Sequence, residues 1–326
     1  MLGRQSARVA AALAAVGLFA AACGGSDSGG GGSEGGGGSI AVEPSFANAT
    51  FTVGSKDFDE QLVLGQLTLQ VLEAAGAKVN DKTGLAGTAP AREALLKGET
   101  DMSWEYTGTG WITHLKNTTP IPDEQAQFDA VARDDLAKNK IVWVSPFAPF
   151  NNTYAIAARS EFAQQNNLRT DTDLANFVKA NPQQATFCVE SEFSTRDDGF
   201  PGFQKKYGFT VPPANIKLLD TGVVYTETDK GQTCNFGEVF TTDGRIAALG
   251  LTPFEDDKKF FPNYNPALNV RQNVYDQYPA IQKVIEPVFA KLDNATMTGL
   301  NAKVSAEGEE PKDVAQQWLQ ENGFIG

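Results

Sequence analysis

The residues best equipped for chemistry stand together in Trp104-Glu105-Tyr106-Thr107-Gly108-Thr109-Gly110-Trp111, where three aromatic rings, one carboxylate, two hydroxyls and two glycines fill eight positions. A strand-like run precedes them and a helix-like run follows. In an open α/β sheet, that junction is where helix N-terminal amides open onto a ligand crevice. Aromatic faces there hold a cation, while hydroxyls and free N–H groups hold an anion. The stretch therefore points to a small zwitterion with a bulky cationic head. Two cations lie on loops that could reach its other end. Lys56 sits on the turn Ser55-Lys56-Asp57-Phe58, and Arg196 sits in the polar loop beginning Ser194-Thr195. Each has a plainer alternative: a solvated lysine for Lys56, and a salt bridge to Asp197 or Asp198 for Arg196.

The elements that must position these groups read as alternating strands and helices, which favours an α/β fold. A strand at Phe51-Thr52-Val53-Gly54 feeds a helix over about 59–75, with Leu64, Leu67, Val71 and Ala74 at helical spacing and Gly76 as its stop. Helices are expected to follow Thr88-Ala89-Pro90 and to begin again near Gly108, so that Thr109 falls near a helix N-terminus. Strands are expected at 141–144 and 154–158, and a helix capped by Thr172 or Asp173 precedes a strand at 185–190. Gly237-Glu238-Val239-Phe240-Thr241-Thr242-Asp243-Gly244-Arg245-Ile246 repeats the order of strand, aromatic, hydroxyls, glycine and helix. Two stretches mixing prolines with aromatics, 146–154 and 260–266, read as extended crossings between lobes. Helices over 274–292 and 311–319 complete the first lobe.

Composition narrows the function classes. The formal charge of -13 across 326 residues leaves no basic stripe to displace phosphate counterions, which argues against nucleic acid. With His114 as the single histidine, placed inside a helix, a mechanism built on an imidazole base has little support. The N-terminus reads as an export signal: Arg4 and Arg8 precede an apolar run too short for a transmembrane span of roughly 20 residues. Ala20-Ala21-Ala22-Cys23 resembles a lipoprotein box, so cleavage after residue 22 and acylation of Cys23 would tether the chain to a membrane's outer face. Residues 23–49 read as a Gly/Ser-rich tether. Within it, Asp27-Ser28-Gly29-Gly30 resembles a serine-protease motif but lacks the rigid, base-supported setting a nucleophile needs. In an exported protein, Cys188 and Cys234 are expected to pair, since two sulfurs without histidine partners make a poor metal site. Closing a loop of about 46 residues is worth on the order of 4 kcal/mol by loop entropy.

Several short runs occur in one order: Gly54-Ser55-Lys56 with Glu60-Gln61; Glu105-Tyr106-Thr107-Gly108-Thr109; Asn151-Asn152-Thr153-Tyr154; Arg196 with Asp198-Gly199; Thr241-Thr242-Asp243-Gly244-Arg245; and Asp256-Asp257-Lys258 with Phe261-Pro262. Together, over about residues 50–326, they resemble the glycine betaine/carnitine/choline-binding lipoproteins of osmoprotectant ABC transporters. The resemblance implies a two-lobe type II periplasmic-binding-protein fold with two interlobe crossings. Lobe 1 would comprise residues 50–150 and 258–326, and lobe 2 residues 151–257. It further implies an aromatic box of Tyr106, Tyr154, Phe240 and Tyr264 around a quaternary ammonium, with Phe240 standing where relatives usually carry tyrosine. Lys56, Thr109 and Arg196 match positions that hold a ligand carboxylate, and Asn152 and Gln61 match polar positions beside the box. The implied partners are an ABC permease with its cytoplasmic ATPase, with no cofactor, no metal and a monomeric chain.

The chemistry agrees with that assignment. A trimethylammonium group has no N–H to donate, so π faces select it where hydrogen bonds cannot. Phenylalanine keeps such a face and loses only the hydroxyl. Choline, carnitine or another quaternary amine is the alternative ligand. A secreted hydrolase using His114, and a ligand sensor or adhesin without a transporter, are the alternatives of other classes.

Overall fold

The computed structural model describes residues 37–326, so the expected signal peptide (1–22), Cys23 and residues 24–36 of the expected tether lie outside the described residues. Residues 37–49 depart from the tether expectation. Ser39 and Ile40 donate backbone hydrogen bonds to Gly323 and Phe324, and the Phe46 ring is fully buried, 5.2 Å from Phe51. An apolar side chain with a pocket to fill folds with the body, whatever the linker-like sequence before it.

The first lobe opens with β1 (Thr50–Lys56), α1 (Asp59–Ala74), β2 (Lys78–Leu85), α2 (Thr88–Lys97) and β3 (Met102–Tyr106). A short α3 (Thr107–Thr109) runs into a π-turn at Gly110–His114, and α4 (Glu124–Asn139) leads to β4 (Ile141–Trp143). After the crossing, the second lobe comprises β5 (Tyr154–Arg159), α5 (Ser160–Gln165), α6 (Asp171–Ala180), β6 (Phe187–Val189) and α7 (Phe200–Tyr207). It continues with β7 (Ile216–Leu218), α8 (Thr221–Lys230), β8 (Phe236–Phe240), α9 (Arg245–Ala248) and β9 (Leu251–Pro253). The chain then returns to the first lobe as β10 (Pro266–Arg271), α10 (Gln272–Gln277), α11 (Ala280–Phe289), α12 (Asn294–Ser305) and α13 (Pro311–Glu321).

Each lobe is built on a five-stranded sheet, ordered β2-β1-β3-β10-β4 in the first and β7-β6-β8-β5-β9 in the second. The two orders are equivalent. In each, three parallel strands are followed by one antiparallel strand contributed from beyond a crossing, β10 beside β3 and β5 beside β8. This is the two-lobe type II arrangement. The first lobe's core gathers Phe46, Phe51, Trp104 and Phe289 with the apolar faces of α1, α11 and α13. The second lobe's core is rich in phenylalanine and runs without a break into Tyr106, Tyr154 and Tyr264. Cys188 and Cys234 are joined by a disulfide, tying β6 to the residues just before β8.

Some local expectations are corrected. The cap of α6 is Thr170, whose side chain accepts from Asp173 N–H while Asp173 accepts in return, so the helix starts two or three residues earlier than Thr172 or Asp173 as cap would give. The expected helix over 274–292 is two helices, because Pro279 has no N–H to continue the first. The polar strand β2 has no clear alternation of apolar residues and is not legible from pattern; β1 recruits it by parallel pairing.

One buried acid lies outside the cleft. Asp171, in the first turn of α6, is fully buried, and neither carboxylate oxygen has a hydrogen-bond partner among the described residues. Burial, and then the charges of Asp256 and Asp257, push its pKa up to about 9. The folded chain therefore keeps a proton that the unfolded chain releases near pH ~4, and stability should fall as pH rises between those values. Asp171→Asn keeps the shape without the charge. Urea midpoints at about pH 5 and about pH 8 should differ less in this variant than in the wild type. An unchanged pH dependence would mean that Asp171 carries no linked proton.

Candidate functional site

A cleft of about 550 Å³ lies where the carboxyl ends of β1, β3, β6 and β8 meet between the lobes. Its lining includes Lys56, Thr109, Arg196 and Asn152 together with Tyr106, Tyr154, Phe240 and Tyr264, residues up to 208 positions apart in the chain. Sheet geometry brings the rings together. Tyr106 ends β3, and Tyr264 precedes β10, which pairs with β3 so that Pro266 stands opposite Tyr106. In the other lobe, Tyr154 stands directly opposite Phe240 in the β5–β8 register. The rings of Tyr154 and Phe240 are consequently 5.1 Å apart, and that of Tyr264 stands edge-on to Tyr154 at 5.3 Å. Gly108 makes the close approach possible, since a Cβ there would lie 2.7 Å from the Asn263 carbonyl and 2.8 Å from the Tyr264 ring.

Hydroxyls hold two of the rings from behind. Tyr264 donates to Asp198 Oδ2 (2.6 Å), and Tyr106 donates to Glu60 Oε1 (2.7 Å). Glu60, almost wholly buried in the first turn of α1, is the centre of a larger network. It also accepts from Asn152 Nδ2 (2.9 Å) at Oε1, and from Thr242 Oγ1 (2.6 Å) and Asn301 Nδ2 (2.9 Å) at Oε2. Burial pushes its pKa up, and the four donors oppose that shift. The network joins lobe 1, the first crossing and the loop after β8 through one carboxylate.

Both expected carboxylate-binding cations are already paired. Lys56 Nζ donates to Glu105 Oε1 (2.7 Å), and the other oxygen of Glu105 accepts from His114 Nε2 (2.8 Å). Burial raises the Glu105 pKa, but the charge of Lys56 and the contact with His114 outweigh it and hold the carboxyl well below its usual range. Burial also lowers the His114 pKa, so the imidazole is neutral and acts as a donor behind the cleft. The Arg196 guanidinium grips Asp198 through Nε (2.8 Å) and Nη2 (2.6 Å). Its Nη1 reaches only Glu192 at 3.8 Å, beyond hydrogen-bonding range. Among the described residues, that edge of the guanidinium has no acceptor. Burial pushes the Glu238 carboxyl up to about 8, so Glu238 is largely uncharged at neutral pH and the charge of Arg196 is balanced by Asp198, with Glu192 at 3.8 Å. The salt-bridge alternative for Arg196 is thus present with Asp198, without using its last nitrogen.

Gln61 is corrected. It is fully buried and outside the cleft lining, and its Oε1 accepts from the Lys56 backbone N–H (3.3 Å), so it supports the loop rather than facing a ligand. Asn152 does line the cleft, but its amide is engaged by Glu60 and by Thr242 N–H (3.3 Å). Other groups escaped the sequence reading. Phe58 stacks between Tyr106 and Phe240, at centroid distances of 6.3 and 5.3 Å. Arg245 grips Asp243 and reaches Asp59 of the first lobe at 3.3 Å. Glu192 accepts the Thr88 N–H at the start of α2 (2.7 Å), a second contact across the cleft. The signal for Phe58 was its place beside Lys56; nothing local marks Asn301 or Glu192.

Several known proteins resemble this chain. A family model described as the substrate binding domain of ABC-type glycine betaine transport system matches residues 49–321. The glycine betaine-binding protein YehZ of Escherichia coli is 35% identical over 288 residues, covering 86% of this chain and 93% of the relative. A glycine-betaine-binding protein of Pseudomonas aeruginosa is 37% identical over 282 residues, covering 85% and 89%. Among solved structures, apo YehZ from Escherichia coli matches with a TM-score of 0.63 at 34% identity, covering 85% of this chain and 99% of that one. A glycine betaine/carnitine/choline ABC transporter structure matches with a TM-score of 0.69 at 25% identity, covering 85% and 100%.

The Glu60 network can be tested directly. In Glu60→Gln, an amide N–H group would face two of the four donors, leaving buried groups unpaired at a cost of about 1–3 kcal/mol each. Chemical denaturation should show a loss of about 2 kcal/mol or more. An unchanged midpoint would mean that the network adds no stability.

Proposed function

Because this chain belongs to the family of substrate-binding domains of ABC-type glycine betaine transport systems, we propose that it captures glycine betaine or a related quaternary-ammonium solute and delivers it to a membrane permease. The observation that carries this reading is one cleft lined by both aromatic faces and two oriented cations, with Lys56 Nζ 5.2 Å from the Tyr106 ring centre and the Arg196 guanidinium 5.9 Å from that of Tyr154. The rings take the methylated nitrogen. Lys56, Thr109 and the free edge of Arg196 take the carboxylate.

Contacts already crossing the cleft, from Glu192 to Thr88 N–H and from Arg245 to Asp59, support a ligand-linked closure that a permease can read. Binding proteins of ABC importers act outside the cytoplasm, and among the described residues no helix is long and apolar enough to cross a membrane. We add to the proposal a lipid anchor at Cys23 and a monomeric chain, with binding and no catalysis as its task. His114 donates to Glu105 and is absent from the cleft lining, an arrangement that serves structure rather than hydrolysis.

Arg196→Ala should weaken glycine betaine binding by about 2–5 kcal/mol, the usual cost of stripping one partner from a buried charge pair. Choline, which has no carboxylate, should lose far less. Calorimetry with both ligands measures the difference, and equal losses would remove the carboxylate role.

A further inference from the structure

Phe58 occupies a position that local rules assign to another residue type. It is the residue preceding α1, where Ser, Thr, Asp or Asn would accept a hydrogen bond from a first-turn N–H, and its side chain makes no such bond. The ring lines the cleft instead, within 20° of parallel to Tyr106 and within 21° of parallel to Phe240. Phe240 leads on to Tyr154 at 5.1 Å, and Tyr154 to Tyr264 at 5.3 Å. The five rings thus form an unbroken run of neighbours around one space.

We propose that Phe58 is a fifth wall of the quaternary-ammonium box and a specificity-determining residue, delivered by lobe 1 against Phe240 of lobe 2 so that the wall is complete only when the lobes are closed. This rests on the ligand class proposed above. The Phe58 and Phe240 side chains themselves carry no acceptor for an N–H, so these two walls favour full methylation.

The test is calorimetry on the wild type, Phe58→Leu and Phe58→Tyr. The ligands are glycine betaine and its carbon isostere 3,3-dimethylbutyrate, the latter measured by displacement of betaine. The leucine keeps apolar bulk and loses the π face. Betaine binding should weaken roughly three- to thirtyfold in Phe58→Leu while the uncharged-head isostere changes less than about twofold. Phe58→Tyr, which keeps the face, should bind betaine much as the wild type does. Equal weakening of both ligands would make Phe58 a packing residue, and unchanged or tighter betaine binding in Phe58→Leu would leave no wall; either result overturns the proposal. Should Phe58→Leu fail to fold, as judged by its melting curve, Phe58→Met supplies the same comparison. A folded wild type that binds neither betaine nor choline would sink the ligand class itself, a failure distinct from that of Phe58 alone.

Discussion

A carboxylate removed from water must find donors, and the placement of the two lobes turns on how Glu60 finds them. An uncompensated buried charge would cost several kcal/mol, so the four groups that reach it are held to positions where they can donate. They come from β3, the first crossing, the loop after β8, and α12. One of the four is the hydroxyl of a box tyrosine. The plane of the Tyr106 ring is therefore fixed by the interaction that fixes the hinge side of the molecule. Glu60 also lies two residues beyond Phe58 and four beyond Lys56, so the ligand-facing turn is anchored from the same point.

The second constraint is that the cleft keeps its cations compensated. Lys56 has Glu105, Arg196 has Asp198, and Arg245 has Asp243. Each pair is nearly or largely buried, so a lone charge would be expensive in the empty cleft. The pairs also order long side chains before a ligand arrives, reducing the entropy lost on binding. Two of them leave capacity in hand. Arg196 engages Asp198 along one edge only, and Lys56 commits one of its three donors to Glu105. A zwitterion's acid group thus meets oriented donors whose charges are already balanced, which favours selectivity of geometry over brute attraction.

Much of the fold was legible along the chain. The alternation of strand and helix, the glycine and proline stops, and the two Pro/aromatic stretches marked the α/β elements and the crossings, while the two-lobe type II plan came with the family resemblance. The repeated order of strand, aromatic, hydroxyl, glycine and helix at Tyr106 and Phe240 anticipated the equivalence of β3 and β8. What was misread followed from tertiary demand. Phe46 was assigned to a tether because its neighbours are linker-like, yet a core position takes it. Gln61 was placed beside the box by the family resemblance, but in the first turn of α1 it is buried and its Oε1 accepts from the Lys56 backbone N–H.

The residue types at the cleft, their order, and the chemistry they can do were determined by the sequence alone, because strand and helix periodicity and glycine placement are local properties. The partners of the buried charges were not. Glu60 meets its donors across separations of 46, 92, 182 and 241 residues. Likewise, Tyr154 faces Phe240 only because the β5–β8 register sets them opposite one another. No periodicity encodes such pairings; they arise when two sheets close around charges and rings that must be satisfied together, and only the folded chain decides which distant groups are near enough to do so.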